Sequence, residues 1–348
     1  MHQESPAVSQ PSPARRDTLR AWVRLGRTQV GPEESGVRLD RYLAARFTYR
    51  SRNQWGHLIR AGRITVNGQP VRPSRALREG DQLDYVPLPR AEPPIDARFD
   101  LLHLDEGLVA VAKSGNLPIH PSGRYFRHTL LHLMLEREPD WGRLHVVHRL
   151  DRETSGVVLF GRTREDAARL AVQFRKRRVR KRYLALVEGE PARDRFVVDL
   201  ALGPALDSTI RKAVGVRPDG LPSRTEVRVL HRGPGWAWIE ARPETGRLHQ
   251  VRVHLRAAGL PILGDKVYGR DERFFLKFVA DQPLTPAERR ALGLPRQALH
   301  AYQISLSHPR TSTPLTVTAP VPPDLLDALA ARGLDPACAT PPDPDGGD

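Results

Sequence analysis

The segment 87–94 constrains the fold most, because four of its eight residues are prolines. Proline fixes its own φ angle and has no backbone N–H, so this segment cannot continue a helix or a central strand. It is typical of a stiff, extended linker. At 348 residues the chain has the length of about two domains. We therefore predict a small domain at 36–88, a linker at 89–97 and a larger domain at 98–330.

Both ends of the chain lack periodic hydrophobic patterns. Residues 1–35 begin with Ser, Pro and Gln and become basic from Arg15 onward, which predicts a disordered basic arm. Residues 331–348 are rich in Pro, Asp and Gly and predict a disordered tail. We expect ordered structure to begin near Gly36.

The charge balance points to a polyanionic partner. Lys and Arg together number 55 against 40 Asp and Glu, a formal net charge of +15 at pH 7. Such an excess is typical of proteins that bind nucleic acid. The single cysteine excludes an intrachain disulfide and suits a reducing compartment. No apolar run has the length of a membrane span and no signal core is present near the start, so we expect a cytoplasmic protein without a membrane partner.

The small domain combines two helices with a hairpin. Apolar residues at helical spacing over 37–47 predict the first helix, and Ser51 followed by Gln54 forms a capping box that starts the second. A strand at 64–66 then runs into Asn67-Gly68, a strong hairpin signal. The order LDRYLAARF, SRNQWGHLIRAG, RITVNGQPV resembles the alpha-L RNA-binding motif, named after ribosomal protein S4.

This resemblance implies that the arginines of the small domain contact RNA. Guanidinium groups interleaved with aromatic rings suit phosphate contact and base stacking. The predicted RNA-binding residues of this domain are Arg46, Arg50, Arg52, Arg60 and Arg63.

Strands outnumber helices in the larger domain, which predicts an α+β fold with a mixed, mainly antiparallel sheet. Helices are expected over 129–135 and from Thr163 to 174, and a variable insertion at 271–294 carries a short helix from Thr285. Strands are expected at 99–104, 108–112, around 146–160, and at 183–187, 224–230, 237–241, 246–255, 298–305 and 315–317.

A short polar segment, HRLDRETS at 148–155, separates two β-branched apolar runs. Asp151 lies there between Arg149 and Arg152. A carboxylate held among arginines stays ionised and can act as a nucleophile. The alternative is a polar loop in which Asp151 forms a surface ion pair.

A second basic segment lies at 175–182, where seven of eight residues are cationic and Tyr183 follows at the head of a strand. We interpret it as a phosphate-contacting strip that includes Lys176 and Arg178. The alternative is a solvated helix end.

His249 and His254 lie close together in sequence, but neither a cysteine nor a carboxylate accompanies them to complete a metal site. We expect both to be structural or hydrogen-bonding residues. No glycine-rich nucleotide-binding pattern is present either. The residues therefore suggest neither a metal site nor nucleotide chemistry.

Four stretches together resemble one enzyme family. They are HRLDRETSG at 148–156, KRYLALVEG at 181–189, GRLHQVRVHL with PILGDKVYG at 246–269, and RQALHAYQISLSHP at 296–309. In this order they are similar to the RluA-type pseudouridine synthases, most closely to the subgroup acting on large-subunit ribosomal RNA. With the small domain included, the resemblance covers about residues 36–325.

The resemblance implies that uridine in RNA is isomerised to pseudouridine, and that the protein needs no metal and no cofactor for this. It places Asp151 at the catalytic position, Arg247 as the arginine that pairs with it, and Tyr183 as the tyrosine that packs on the uracil. Arg149 would enter the RNA stack as the uridine flips out. His148 would orient the loop and is counted with the RNA-binding residues.

The expected partner is structured RNA, either ribosomal RNA or a ribosomal precursor, and the expected state is a monomer. Transfer RNA remains an open alternative as target. Two other functions are also open. One is a catalytically inactive RNA-binding or ribosome-assembly protein. The other is a retaining glycoside hydrolase, which needs a second carboxyl group about 5 Å from the first; Glu153 is the one candidate near Asp151.

Overall fold

The computed structural model describes residues 27–47, 50–85 and 92–342. The chain divides into two compact units, 1–91 and 92–348. The division falls within the proline-rich segment.

The first unit packs two helices on a small antiparallel sheet. Its strands are β1 (Arg27–Gln29), β2 (Ile64–Val66), β3 (Gln69–Pro70) and β4 (Gln82–Tyr85), in the order β1-β4-β2-β3, and its helices are α1 (Leu39–Arg46) and α2 (Arg52–Arg60). The predicted capping box is confirmed, since Ser51 Oγ accepts from Gln54 N and Gln54 Oε1 accepts from Ser51 N. The hairpin is also confirmed: Asn67 and Gly68 have φ angles of 51° and 77°.

Order in this unit begins earlier than predicted. β1 pairs with β4, and Val30 is buried in the core beside Trp55. The prediction that residues 1–35 are disordered is therefore wrong for 27–35, because these residues complete the sheet. Residues 1–26 lie outside the described residues.

The second unit is built on a ten-stranded sheet. Its strands are β5 (Phe99–Leu104), β6 (Leu108–Lys113), β7 (His145–Val146), β8 (Ser155–Gly161), β9 (Arg180–Glu188), β10 (Arg195–Asp199), β13 (Arg224–Gly233), β14 (Trp236–Pro243), β15 (Leu299–Ser307) and β16 (Pro314–Thr318). The strand order is β10-β13-β14-β9-β15-β8-β6-β5, and in addition β16 pairs with β15 and β7 pairs with β8. All described pairs are antiparallel except that of β8 with β15, so the expected mixed, mainly antiparallel sheet is confirmed.

Helices and a separate hairpin surround this sheet. The hairpin consists of β11 (Leu202–Pro204) and β12 (Val214–Val216). The helices are α3 (Leu130–Arg137), α4 (Arg164–Arg175), α5 (Gln250–Ala257), α6 (Arg273–Val279), α7 (Pro286–Leu292) and α8 (Pro323–Ala330). Thr129, Thr163 and Thr285 cap α3, α4 and α7 as N-cap residues, which confirms the predicted starts of these helices. No helix in the described parts of the chain is both long and apolar enough to cross a membrane.

The expected strand over 246–255 is wrong, because this segment turns at His249 and continues as α5. His249 has the left-handed φ of 56°, and the helix begins at Gln250. Residues Gln250 to Leu255 are all buried, so no exposed face reveals the helical period. Alternating valines at 251 and 253 mimic the pattern of a strand.

The expected disordered tail is also wrong over 331–342. A short 3-10 helix runs from Pro336 to Ala339, and Ala339 is fully buried. The indole N–H of Trp238 donates to its carbonyl oxygen at 2.8 Å. The tail thus covers β14, although its Pro- and Asp-rich composition resembles that of disordered chain. Residues 343–348 lie outside the described residues.

Candidate active site

The polar segment 148–155 connects β7 to β8 at the point where β8 meets β15. Gly156 is necessary there: its φ is +115°, and a Cβ atom would lie 2.1 Å from the carbonyl oxygen of Ala301. The carbonyl of Arg152 accepts from Leu117 N and from the buried Lys113 Nζ, at 2.9 and 3.0 Å. The loop that carries Asp151 is therefore fixed at two points, both on the C-terminal side of Asp151.

Asp151 opens into a cavity of about 310 Å³, here called the Asp151 cavity. Three predicted catalytic residues, Asp151, Tyr183 and Arg247, all line it. The other residues that line it with charged or polar side chains are His148, Arg149, Thr154, Lys181, Thr245, His249, Gln250 and Arg252.

The arginine paired with Asp151 is Arg252, so the predicted pairing with Arg247 is wrong. Arg252 Nη1 donates to Asp151 Oδ2 at 2.7 Å. Arg247 instead donates from Nε to the carbonyl oxygen of Pro222 at 3.4 Å. The pairing with Arg247 came from the family resemblance; in the structure, α5 turns Arg252 toward Asp151, whereas Arg247 lies in the turn before this helix.

Arg252 is itself held by a second carboxylate. Its Nε and Nη2 donate to Asp265 Oδ2 and Oδ1 at 2.7 and 2.8 Å. Asp265 Oδ1 also accepts from the backbone N–H groups of Val267 and Tyr268. The centroid of the Tyr268 ring lies 4.8 Å from the guanidinium carbon of Arg252, which is a cation–π contact. A bidentate contact of this kind fixes both the position and the plane of the guanidinium group.

These contacts decide the charge of each member of the Asp151–Arg252–Asp265 triad. Burial alone would raise the pKa of Asp151, but the charge and hydrogen bond of Arg252 lower it below the usual value. The pKa of Asp265 is lowered in the same way against its burial. Burial would lower the pKa of Arg252, yet the two carboxylates raise it. At neutral pH all three groups are ionised.

Tyr183 projects into the same cavity from β9. Burial and the negative charge of Asp151 both raise the pKa of its phenol above the usual value. The phenol is therefore protonated at neutral pH and can donate a hydrogen bond.

The two histidines of the cavity are neutral. Burial lowers the pKa of His249 to about 4 in spite of Asp151, whose Oδ1 lies 3.7 Å from His249 Nε2. Burial and the charge of Lys181 lower the pKa of His148 to about 4. His148 Nε2 accepts from Leu159 N at 3.0 Å, and its ring stacks on Phe174 at 4.9 Å.

These contacts hold His148 against β8 and α4, which fits the loop-orienting role that the resemblance implies. That role and the binding of RNA by His148 stay predictions. Arg149 is exposed at the edge of the cavity, where its predicted role in base flipping stays untested.

His254 faces away from this chemistry. It is fully buried, and its nitrogens lie 2.9 Å from Thr225 Oγ1 and 3.0 Å from the carbonyl oxygen of Leu200. The expected hydrogen-bonding role is confirmed. Within the described ranges, no three His, Cys, Asp or Glu side chains are grouped so that they could hold a metal ion.

The side of the loop that faces away from the cavity has its own anchor. Both carboxylate oxygens of Glu153 accept from Lys266 Nζ, each at 2.9 Å. Glu153 Oε1 also accepts from Arg152 Nη2 at 2.7 Å. Lys266 directly follows Asp265, so one dipeptide holds Arg252 with its first residue and Glu153 with its second. Gly264, with a φ of +75°, brings this dipeptide within reach: a Cβ there would lie 2.1 Å from the carbonyl oxygen of Arg296.

Sequence reasoning missed Arg252, Asp265 and Lys266 as site residues. All three belong to stretches that carried the family resemblance, at 246–269. Their pairing depends on α5 and on a contact across the fold, and no spacing along the chain indicates it.

The predicted RNA-binding arginines of the first unit differ in their contacts. Arg46 pairs with Glu34 at 3.1 Å and Arg52 with Asp40 at 2.9 Å, while Arg50 lies 5.7 Å from the Trp55 ring centroid. Arg60 and Arg63 have no carboxylate partner within the described residues. In the second unit, Lys176 and Arg178 are exposed after α4. Their RNA contacts stay predictions.

Comparisons with known proteins agree on one family. The RNA pseudouridylate synthase family matches residues 107–257 and the S4 domain matches residues 37–83. The chain is 33% identical over 319 residues to the ribosomal large subunit pseudouridine synthase D of Pseudomonas aeruginosa, covering 88% of this chain and 95% of that protein. An uncharacterized RNA pseudouridine synthase of Synechocystis is 32% identical over 288 residues, with 83% and 95% covered.

A solved structure, human RNA pseudouridylate synthase domain containing 4, has a TM-score of 0.52 and 28% identity. It covers 68% of this chain and 93% of its own. The Asp151 loop and α5 both lie within the residues that match the family.

Replacing Arg252 should destabilise the protein in a pH-dependent manner. Arg252→Met leaves the buried Asp265 without its partner, which costs about 3–5 kcal/mol at neutral pH. In the wild type, the pKa values of Asp151 and Asp265 are lower than in the unfolded chain. Their ionised forms therefore stabilise the fold above the ordinary Asp pKa, and this stabilisation is lost as pH falls through their pKa values in the folded protein. The difference between variant and wild type should therefore shrink as pH falls.

Denaturant unfolding between pH 3 and 8 measures this, with Arg247→Met as the matched control. The control should cost little, because Arg247 makes one long hydrogen bond to a backbone carbonyl. An equal cost for both variants at pH 7 would contradict the assignment of Arg252.

Proposed function

Because the chain belongs to the RluA-type RNA pseudouridine synthases and carries an S4 domain, we propose that it isomerises specific uridines of large-subunit ribosomal RNA. The site supports this function because Asp151 lines the cavity as a carboxylate that Arg252 keeps ionised, and Asp265 fixes Arg252 in place. The names of the relatives that act on the large ribosomal subunit support the choice of substrate.

The reaction begins with the uridine turned out of its stack and into the Asp151 cavity. Flipping costs a few kcal/mol of lost stacking. Arg149, exposed at the edge of the cavity, occupies the place of the flipped base and holds neighbouring phosphates through its charge. Tyr183 packs on the uracil and orients it by donating from its phenol.

The chemical step then takes place at ribose C1′. The Asp151 carboxylate attacks C1′ or pairs with the positive charge that forms there, and the bond from C1′ to uracil N1 breaks. The uracil turns within the cavity and rejoins C1′ through C5, and any bond between C1′ and Asp151 breaks as the new bond forms, which frees the carboxylate again. C5 loses its proton and N1 gains one, so the product is an isomer of the substrate. Arg252 keeps Asp151 ionised throughout, which the attack on C1′ requires.

The glycoside hydrolase alternative is disfavoured by the position of Glu153. Asp151 is the one carboxylate among the described residues that line its cavity. Glu153 lines a different cavity, where Lys266 and Arg152 hold it. A retaining glycosidase needs its second carboxyl group about 5 Å from the nucleophile, across the same bond.

The proposed function includes a cellular location and an oligomeric state. A ribosomal substrate and a single, exposed cysteine fit a cytoplasmic protein. We propose that it acts as a monomer, since the residues of the Asp151 triad all come from one chain.

Asp151→Asn should abolish pseudouridine formation and leave RNA binding intact. The amide keeps the shape of the side chain, but it can neither attack C1′ nor balance a positive charge. Mapping of pseudouridines in a large-subunit ribosomal RNA transcript treated with purified protein measures the first effect, and an equilibrium binding assay measures the second. Asp140→Asn, which changes an exposed carboxylate, is the control. If Asp151→Asn forms pseudouridine at an appreciable rate, the protein does not use this carboxylate.

Arg60→Met should reduce the salt dependence of RNA binding. Each phosphate contact contributes about one unit to the slope of log affinity against log salt. Arg60 is exposed in the S4 domain and has no carboxylate partner within the described chain, so its charge is available to RNA. Arg195→Met removes a positive charge from the exposed side of β10 and serves as the control. A slope equal to that of the wild type would exclude Arg60 from the RNA interface.

A further inference from the structure

A lysine enters the Asp151 cavity and has no part in the mechanism above. Lys181 lies on β9 two residues before Tyr183, and alternate residues of a strand project to the same face. Both side chains line the Asp151 cavity. Phe174 of α4 and Ile304 of β15 also line the space around Lys181, and neither carries a charge.

One hydrogen bond fixes the ammonium group of Lys181. Its Nζ donates to the carbonyl oxygen of Thr245 at 2.8 Å. Thr245 lies in the turn that precedes α5, and its Oγ1 is bonded to Gln250 Oε1 at 2.6 Å. An ammonium group has three N–H donors. The structure gives Lys181 a single partner within the described residues, which leaves two donors for a ligand in the cavity.

The charges around Lys181 show what it can offer that ligand. The Asp151–Arg252–Asp265 triad carries a net charge of −1, from two carboxylates and one guanidinium. His148 and His249 are neutral and the Tyr183 phenol is protonated. Arg149 and Arg247 are the other charged residues that line the cavity. Negative charge that develops inside the cavity is opposed by the triad and favoured by Lys181.

We propose that Lys181 is a further catalytic residue, whose ammonium group stabilises the negative charge that forms on the uracil ring when the bond from C1′ to N1 breaks. This rests on the proposed isomerase function. The electron pair of the broken bond stays on the ring and spreads over N1 and the carbonyl oxygens. The Asp151 carboxylate meanwhile bonds to C1′ or pairs with the positive charge that forms there. Lys181 donates a hydrogen bond to the ring and transfers no proton.

The titration of Lys181 fixes the sign of its pH dependence. Burial lowers the pKa of Lys181 to about 8. The group is charged below this value and loses its charge as pH rises through it. A charged role therefore predicts that the rate falls on the alkaline side. A lysine acting as the base that removes the C5 proton must be neutral, and would make the rate rise over the same range.

Single-turnover isomerisation of a large-subunit ribosomal RNA transcript, with enzyme in excess and saturating, tests the proposal between pH 6 and 10. Lys181→Met should lower the rate constant on the order of 10²-fold at pH 7, the typical effect of one preorganised donor. RNA affinity should be unchanged. Lys181→Arg keeps the charge, should retain most of the rate, and should shift the alkaline fall to higher pH. Arg195→Met, which loses one positive charge on β10, should behave like the wild type.

Three results would overturn the proposal: a Lys181→Met rate within threefold of the wild type, a loss confined to RNA affinity, or a wild-type rate that rises through pH 8. If Lys181→Met does not fold, as shown by its thermal melt, the pH profile of Lys181→Arg decides alone, and an unshifted alkaline limb contradicts the proposal. Absence of pseudouridine with the wild-type enzyme would instead refute the proposed function.

Discussion

The ion triad of Asp151, Arg252 and Asp265, in which Arg252 and Asp265 are buried and Asp151 faces the cavity, is the interaction on which the site depends. A buried carboxylate would normally become protonated, and burial alone pushes the pKa of Asp151 upward. Arg252 reverses this, and Asp265 holds Arg252 by two charge-assisted hydrogen bonds. Such an arrangement contributes little net stability, because desolvation offsets the Coulombic gain. Its effect is to keep one anion ready for reaction in a cavity that will receive a polyanion.

The sheet and its loops explain why the triad can be built. The segment carrying Asp151 is tied to the sheet by the hydrogen bond from Lys113 to the Arg152 carbonyl and by the close approach of Gly156 to β15. On the side facing away from the cavity, Lys266 pairs with Glu153. The dipeptide 265–266 thus restrains the same loop from two sides, and a shift of this dipeptide would move both the charge partner of Asp151 and the anchor of its loop.

Local chemistry made much of this molecule predictable. Ser51, Thr129 and Thr163 cap the helices that their sequence context predicted, and Asn67-Gly68 forms the expected turn. Asp151 and Tyr183 do share a cavity. Burial hid the helical pattern of α5, because residues 250–255 are all buried and the alternating valines gave a strand pattern. The pairing of Asp151 with Arg247 came from the family resemblance, and no spacing along the chain indicates Arg252 instead. The tail over 331–342 was missed because one buried residue and one indole hydrogen bond are enough to order it.

Arg252 holds Asp151 as an anion, and a direct titration of the Asp151 carboxyl group tests this best. NMR of protein labelled with ¹³C at aspartate carboxyl carbons, with Asp151→Asn to assign the signal, gives the pKa of this one group. If Arg252 holds Asp151 as an anion, the pKa lies below the ordinary aspartate value of about 3.9. A pKa at or above that value would contradict this, because Arg252 would then fail to outweigh the effect of burial.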